Sequence, residues 1–387
     1  MPQKKNRIFT WSFLMVFLAA GLIRVSYQMQ NTLMPLYMGH LGYSASSIGL
    51  TTTVCTAASL LLRPLLGSAL DRFGRRIFAL IGTALFALAT LLCGFWGSFA
   101  VLLTLRGMQG LGFSSHTTAI NTMATDILPQ ERLSEGIGYM GLTGSVSSAV
   151  APALALLFVP GLLYKEGFIA AGCAGILAVL CVLLFHSEDV RATDREKKMK
   201  LIERFWEKTA LRPTLIMLIL GACNAANGTF LATYALGRGF AEEQVSVYFT
   251  VSALATVAAR LFGPRVSQKL GTNLTLIIAT IFQTAGYLLI PYCPGVIGLW
   301  LAAALLGLSY GTIYPMMNAM AVVHAPPARR GVAMATFLTG MDIGLGFGAS
   351  AWGLVIDSFG IHSMFPLCAV ISLIIYFVCR LLLLSKS

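Results

Sequence analysis

Charge is what this sequence has least of. Asp, Glu, Lys and Arg make up 11% of its 387 residues, against 57% that are hydrophobic. With a mean hydropathy of +0.79, the chain cannot face water over most of its surface. Cysteines in metal-binding or disulfide spacing are missing as well: the eight present, at 55, 93, 173, 181, 223, 293, 368 and 379, are scattered through apolar runs and read as small packing residues. Apart from one charged stretch between His186 and Pro213, the loops are short, and none could hold a soluble catalytic domain. Serines and histidines occur, but no nucleophile, base and oxyanion donor stand at a convincing spacing. The expectation is an integral membrane protein embedded in the lipid bilayer, without enzymatic activity, metal or cofactor.

What is present is apolar length. Runs of the roughly twenty residues needed to cross a bilayer lie near 9–37, 46–70, 76–96, 99–125, 135–159, 166–186, 212–236, 244–266, 273–292, 296–323, 331–356 and 362–384. The first is too long and too poor in small-residue cleavage sites to be a removed signal peptide. These twelve runs predict an all-α membrane protein with six helices on either side of one charged stretch. Between His186 and Pro213 the hydropathy collapses. There Leu201, Ile202, Phe205 and Trp206 at helical spacing fit a short amphipathic helix on the inner membrane face; a solvated linker fits equally well. The expected division is an N-terminal bundle (1–186), a cytoplasmic linker (187–212) and a C-terminal bundle (213–387).

The net charge of +12 reports topology, and no nucleic-acid partner is expected. If Lys4, Lys5 and Arg7 are cytoplasmic, the loops on that side hold Arg72, Arg75, Arg76, Arg132, the basic residues from Arg191 to Arg212, Arg265, Lys269, Arg329 and Arg330. The opposite loops hold only Lys165 and Arg238. By the positive-inside rule both termini are cytoplasmic. A monomer in a bacterial inner membrane is the expected setting.

The two halves repeat each other. Arg63-Pro64-Leu65-Leu66-Gly67-Ser68-Ala69-Leu70-Asp71-Arg72-Phe73-Gly74-Arg75-Arg76 returns as Arg260-Leu261-Phe262-Gly263-Pro264-Arg265-Val266-Ser267-Gln268-Lys269-Leu270-Gly271, and Asn121 and Pro129 return as Asn318 and Pro326, all 197 positions on. The chain is therefore a duplicated half, and both copies sit in long apolar sequence. The first copy, Gly67-x-x-x-Asp71-Arg72-Phe73-Gly74-Arg75-Arg76 between runs two and three, resembles the signature loop of the major facilitator superfamily. Arg106-Gly107-x-Gln109-Gly110-x-Gly112 in run four is similar to that superfamily's second motif. Gly141-x-x-Gly144 with Ala151-Pro152 in run five resembles the motif of its drug/proton antiporter branch, though Ala151 replaces a glycine and the terminal glycine pair is absent.

The resemblance implies two pseudo-symmetric six-helix bundles and a cytoplasmic latch. In that latch Gly67 and Gly74 allow close packing, Asp71 accepts hydrogen bonds at the N-terminus of run eleven near Gly331, and Arg75 pairs with Asp126. Arg72 belongs to the same loop. Gln268 stands where Asp71 would recur, so the second copy lacks the carboxylate. Charges that only cap helices and enforce topology are the competing account.

Of the 15 acidic residues, Asp342 alone falls deep in a run. An ionised carboxylate at membrane depth is a functional candidate unless a partner ion explains it; Gly340, Gly344 and Gly346 around it leave close packing open. Arg24, Gln28 and Asn31 share one polar stripe on run one, within roughly 60°. Arg106 and Gln109 share a face of run four, with His116 within roughly 80°. Asp342, His116 and Arg106 are the proton-coupling candidates: the first two can take up a proton, and the resemblance gives Arg106 a part in conformational or proton-transfer machinery. Hydrogen-bonded packing is the alternative for His116.

Runs one, four, seven and ten line the central path in the family resembled. Arg24, Gln28, Asn31, His116, Asn224, Asn227, Tyr234, Tyr310, Tyr314, Met317 and Asn318 are therefore the substrate-binding candidates, with interhelical packing the competing account for each. Pro315 is expected to bend run ten. Excess positive charge leans toward an anionic small-molecule substrate, and the Tyr and Met faces toward an amphipathic one. Secondary active transport by alternating access follows, with proton-coupled efflux as the leading mode. Uptake or exchange of a carboxylated nutrient, with Arg24 and Arg106 as anion clamps, remains open, as does a non-transporting receptor or scaffold.

Overall fold

The computed structural model describes residues 8–129, 132–185, 207–292, 295–323, 325 and 330–383, and within helices it leaves the side chains of some residues, Gly67, Asp71, Arg72 and Phe73 among them, undescribed. The amphipathic helix expected around Leu201 to Trp206 lies outside the described residues. Among those described, the chain is helical and contains no strand. In order come α1 (Trp11–His40), α2 (Ala45–Phe73), α3 (Arg75–Leu92), α4 (Phe99–Ile127), α5 (Leu133–Leu156), α6 (Tyr164–Leu184), α7 (Leu211–Ala225), α8 (Leu231–Gly237), α9 (Glu242–Leu270), α10 (Thr272–Tyr292), α11 (Val296–Val323), α12 (Arg330–Phe359) and α13 (Met364–Leu383).

The twelve apolar runs map onto these helices, with α7 and α8 together forming the seventh. Ten described stretches are long and apolar enough to cross a membrane, and Ile361–Ile374 is a shorter apolar one. α4 has the length, 29 residues, but Arg106, Gln109, His116 and Asp126 dilute its hydropathy. Arg106, Gln109 and His116 are buried inside protein, as lipid-spanning helices require, and Asp126 lies at the exposed end of the helix. Pro315 lies within an unbroken α11. The interruption falls in the seventh run instead, where Ala226–Phe230 forms a π turn between α7 and α8. Single π turns of this kind recur at functional positions.

The chain forms two compact units. One comprises Met1–Tyr37 and Val54–Arg195; the other comprises Met38–Thr53 and Glu196–Ser387. In the first, α3 lies between α4 and α6. Gly82 and Gly112 bring α3 and α4 together so closely that neither position has room for a side chain, the small-residue packing that membrane helices use where no hydrophobic drive exists. In the second unit α12 packs on α7, and α11 lies between α9 and α10. Gly340, Gly344 and Gly348 press α12 onto the backbone of Thr214, Leu218 and Ala222, with no space for a Cβ. The Trp352 indole donates to the Ala222 carbonyl at 2.7 Å.

The sequence repeat is also a structural repeat. In the first unit Gly110 abuts the Cys55 carbonyl, and the Ser59 hydroxyl donates to the Gly110 carbonyl at 2.7 Å. In the second, 197 positions later, Gly307 abuts the Ser252 carbonyl, and the Thr256 hydroxyl donates to the Gly307 carbonyl at 3.2 Å. The turns after α2 and α9 repeat as well: Gly74 has φ 95° and Gly271 has φ 79°, a backbone region that disfavours any side chain.

The second unit contains one contact that sequence spacing could not suggest. Asp357, near the end of α12, accepts the backbone N–H groups of Ala45 and Ser46 at the start of α2, each at 2.9 Å. These donors belong to the first turn of a helix and have no intrahelical acceptor, and a carboxylate there also meets the positive end of the helix dipole. One turn further along α2, Gly49 abuts Ala349, and the Thr53 hydroxyl lies 2.6 Å from that of Ser350.

Candidate functional site

The polar residues of α1 and α4 form one chain of hydrogen bonds in the first unit. Gln28 Nε2 donates to Ser148 Oγ at 3.5 Å, and Asn31 Nδ2 donates to Gln28 Oε1 at 3.3 Å. Arg106 then donates to Asn31 Oδ1 at 3.2 Å and to Gln109 Oε1 at 3.0 Å. Gln109 Nε2 continues to Thr90 Oγ1 at 3.4 Å. Arg106 is 1% exposed. Its guanidinium is thus enclosed and engaged by two amide oxygens, which orient it more firmly than a solvated side chain could be held.

Arg24 lies on the same stripe of α1. It is half-buried, and its NH1 lies 3.2 Å from where a Cβ would stand on Gly144 of α5. The repeat makes this informative. Arg24 corresponds to Gly221 and Gly144 to Met341, and in the second unit Gly221 abuts the Met341 backbone. One unit places a guanidinium over a glycine where the other places a glycine under a methionine. The fold therefore does not require a cation at this crossing.

His116 is 1% exposed. Thr83 Oγ1 lies 2.5 Å from the Ala79 carbonyl oxygen and 2.6 Å from His116 Nδ1. A hydroxyl has one proton, so Thr83 either donates to Ala79 and accepts from Nδ1, or donates to Nδ1, according to the ring's tautomer. The other ring nitrogen, Nε2, is buried without a hydrogen-bond partner. Arg24 is close enough to act on the ring electrostatically.

In the second unit Asn224, Gln283, Tyr287 and Tyr310, with Leu220 and Leu306, line a small cleft. Tyr310 donates to the Met341 sulfur at 3.8 Å, and the Tyr310 and Tyr314 rings lie 5.7 Å apart. The Arg260 guanidinium sits over the Tyr314 ring at 5.8 Å. Asp342 and Arg260 both act electrostatically on Tyr310. The glycines beside Asp342 are accounted for by α7. Gly340 and Gly344 both point into that helix, and at about 100° per residue Asp342 projects roughly 160° from each of them. The carboxylate therefore lies on the face of α12 turned away from the glycine contact.

Other candidates fall elsewhere. Asn227, in the π turn, accepts the Tyr248 hydroxyl at 2.7 Å. Tyr234 is buried edge-on to His362 and Phe365. Met317 is fully enclosed in an apolar cluster, and Asn318 is half-buried. In the latch loop Arg75 and Asp126 form an ion pair, while the side chains of Gly67, Asp71 and Arg72 are not described. Sequence pattern did not single out Gln283 and Tyr287 on α10 or Thr83 on α3. A lone glutamine in the apolar run 273–292 was the available signal for the first.

Membrane-spanning helices in two repeat-related units, each holding polar side chains in its interior, define the class of membrane transporters. A family model of the Major Facilitator Superfamily matches residues 16–339 and, again, 228–387, and the chain belongs to that superfamily. It is a multi-pass membrane transporter of small molecules and not an enzyme. The staphylopine export protein of Staphylococcus aureus is 22% identical over 94% of both chains. An uncharacterised MFS-type transporter of Methanocaldococcus jannaschii is 24% identical over 89% of this chain and 90% of that one. The quinolone resistance protein NorA of Staphylococcus aureus is 21% identical over 64% of this chain and 63% of its own. Among solved structures, a mutant of the nucleoside transporter NupG superposes with TM-score 0.83 at 16% identity, covering 96% of this chain and 100% of that one. A bacterial homologue of the lysosomal transporter Spinster, inward-facing and unoccupied, gives 0.79 at 16%, covering 97% and 98%.

Proposed function

We propose that this transporter exports a small organic molecule in exchange for protons, with Asp342 as the proton-carrying group. The observation that carries the reading is the place of Asp342: mid-helix, on the face of α12 away from the α7 contact, and within electrostatic reach of Tyr310. A carboxylate at that depth is costly when charged, so its protonation state is tied to what stands next to it. The relatives named for staphylopine export and quinolone resistance support the outward direction. His116 has the weaker claim, since Thr83 fixes one nitrogen and the ring is enclosed. Arg24 contributes to the substrate path, because the second unit builds the equivalent crossing without a cation. Arg106 acts through α1 and α4, positioning Asn31 and Gln109. That role removes it from the anion clamp which carboxylate uptake would need.

The division into bundles 1–186 and 213–387 joined by 187–212 belongs to the same proposal, as do the Gly67 to Arg75 latch with Asp126, the bacterial inner membrane, both termini in the cytoplasm and function as a monomer. The test is a proteoliposome assay with an internal pH-sensitive dye over a compound panel, comparing wild type with Asp342→Asn. Wild-type protein should move protons against an exported compound, and the variant should lose the proton flux. Equal substrate flux without proton movement in both proteins overturns the coupling.

A further inference from the structure

We infer that Asp357 is the releasable part of a clasp, holding the first turn of α2 while α2 and α12 meet at that end and letting go of it in each transport cycle. The inference deepens the proposed function: it rests on alternating access, and on the proposed topology, which turns this end of α2 to the outer face.

α2 is one unbroken helix of 29 residues, yet it is bonded along its length to two different partners. Its second half belongs with α4: the Ser59 hydroxyl donates to the Gly110 carbonyl at 2.7 Å, and the Ser114 hydroxyl donates to the Ser59 carbonyl at 3.0 Å. Its first half belongs with α12, through Asp357 on the amides of Ala45 and Ser46 and through the Thr53 hydroxyl, 2.5 Å from the Gly346 carbonyl oxygen. A transporter built from repeated halves works by moving one against the other. A helix fastened to both must release one of its attachments for part of the cycle.

Which attachment yields follows from what each group falls back on. Asp357 is exposed at the end of its helix, so water can replace both of its bonds at small net cost. α2 stays capped without it, because Ser44 Oγ accepts the Ser47 N–H at 3.3 Å. The Thr53 hydroxyl keeps an acceptor within its own helix, the Gly49 carbonyl at 3.3 Å. Between these bonds, Gly49 lies on the Ala349 backbone and Gly353 on that of Ala45 and Ser46, a contact with no side chains to interlock. Ser59, Gly110 and Ser114 are buried, and parting them would strand hydroxyl groups away from water, which is the costlier event.

The repeat shows that the clasp is conditional by construction. Ala45 and Ser46 correspond, 197 positions on, to Glu242 and Glu243. α9 thus carries acids in its own first turn, whereas α2 carries none and takes its carboxylate from another helix. That stabilisation of the helix end lasts only while the two helices are together. Pro160 stands at the repeat position of Asp357, so the device has no copy there.

The test is a distance measurement by pulsed EPR in lipid nanodiscs, with neither substrate nor gradient, so that failure of proton-coupled export does not affect it. Spin labels at Leu41→Cys and Phe359→Cys, both exposed positions beside the clasp, report the separation in a cysteine-depleted background. Protein with Asp357 intact should show a dominant short distance and a minor longer one. Asp357→Ala should shift their ratio roughly tenfold toward the longer, and Asp357→Asn, which keeps one acceptor oxygen, should shift it less. Ser59→Ala should lower the unfolding midpoint yet leave the ratio within about twofold. A single distance, unchanged in both Asp357 variants, overturns the inference and makes this end of α2 a fixed joint. An equal shift from Ser59→Ala overturns it too, as does failure of both Asp357 variants to fold, which would assign the carboxylate to stability alone.

Discussion

At the scale of single residues, polar side chains divide into those that hold helices together and those proposed to serve the substrate path. Arg106 belongs to the first group. Arg106→Met should lower stability by about 1.5–3 kcal/mol, the range for hydrogen bonds to a charged group, read as a lower unfolding midpoint in detergent. Unchanged stability would mean that Asn31 and Gln109 find other donors. Arg24 is proposed for the second group, since Gly221 stands at its repeat position without loss of the fold. Arg24→Ala should therefore leave the midpoint nearly unchanged yet reduce transport. A large drop in midpoint would return Arg24 to a structural role. Asp342 was legible in the sequence as an acid at membrane depth, and Arg106 as part of a motif. The bond between Asn31 and Arg106 was not, because it joins helices 75 positions apart and no spacing rule reaches that far. Arg260 was visible only as the echo of Arg63; its stacking on Tyr314 depends on how α9 meets α11.

Among the helices, glycine sets the distances. α12 rests on α7 through Gly340, Gly344 and Gly348, and a side chain at Gly344 would collide with the Leu218 carbonyl. Gly344→Val should cost at least the roughly 1–3 kcal/mol typical of overpacking and lower the unfolding midpoint. Gly228 lies in the π turn with nothing near its missing Cβ. Gly228→Ala should be tolerated for stability, and equal losses at both positions would contradict this reading of α7. Helix number and length were legible because twenty apolar residues can do little else in a bilayer. The π turn was not legible, since Asn227 and Gly228 weaken an α-helix without specifying a π turn. Pro315, which does carry such a signal, sits in a helix that continues past it.

For the molecule as a whole, duplication and charge bias are the strongest statements in the sequence, and both concern arrangement in a membrane. In a cysteine-depleted background, a membrane-impermeant maleimide should label Arg238→Cys in intact cells and Arg132→Cys only after permeabilisation; the reverse pattern would invert the topology. Boundaries between units were less legible. Apolar runs divide the chain after the sixth helix, whereas residues 38–53 cluster with the C-terminal half, held by backbone amides on Asp357 that no periodicity announces. α2 is thus one continuous helix whose two ends answer to different neighbourhoods. Hydrogen–deuterium exchange should resolve it into two blocks of protection meeting near Val54, and Asp357→Ala should speed exchange in the first block while sparing the second.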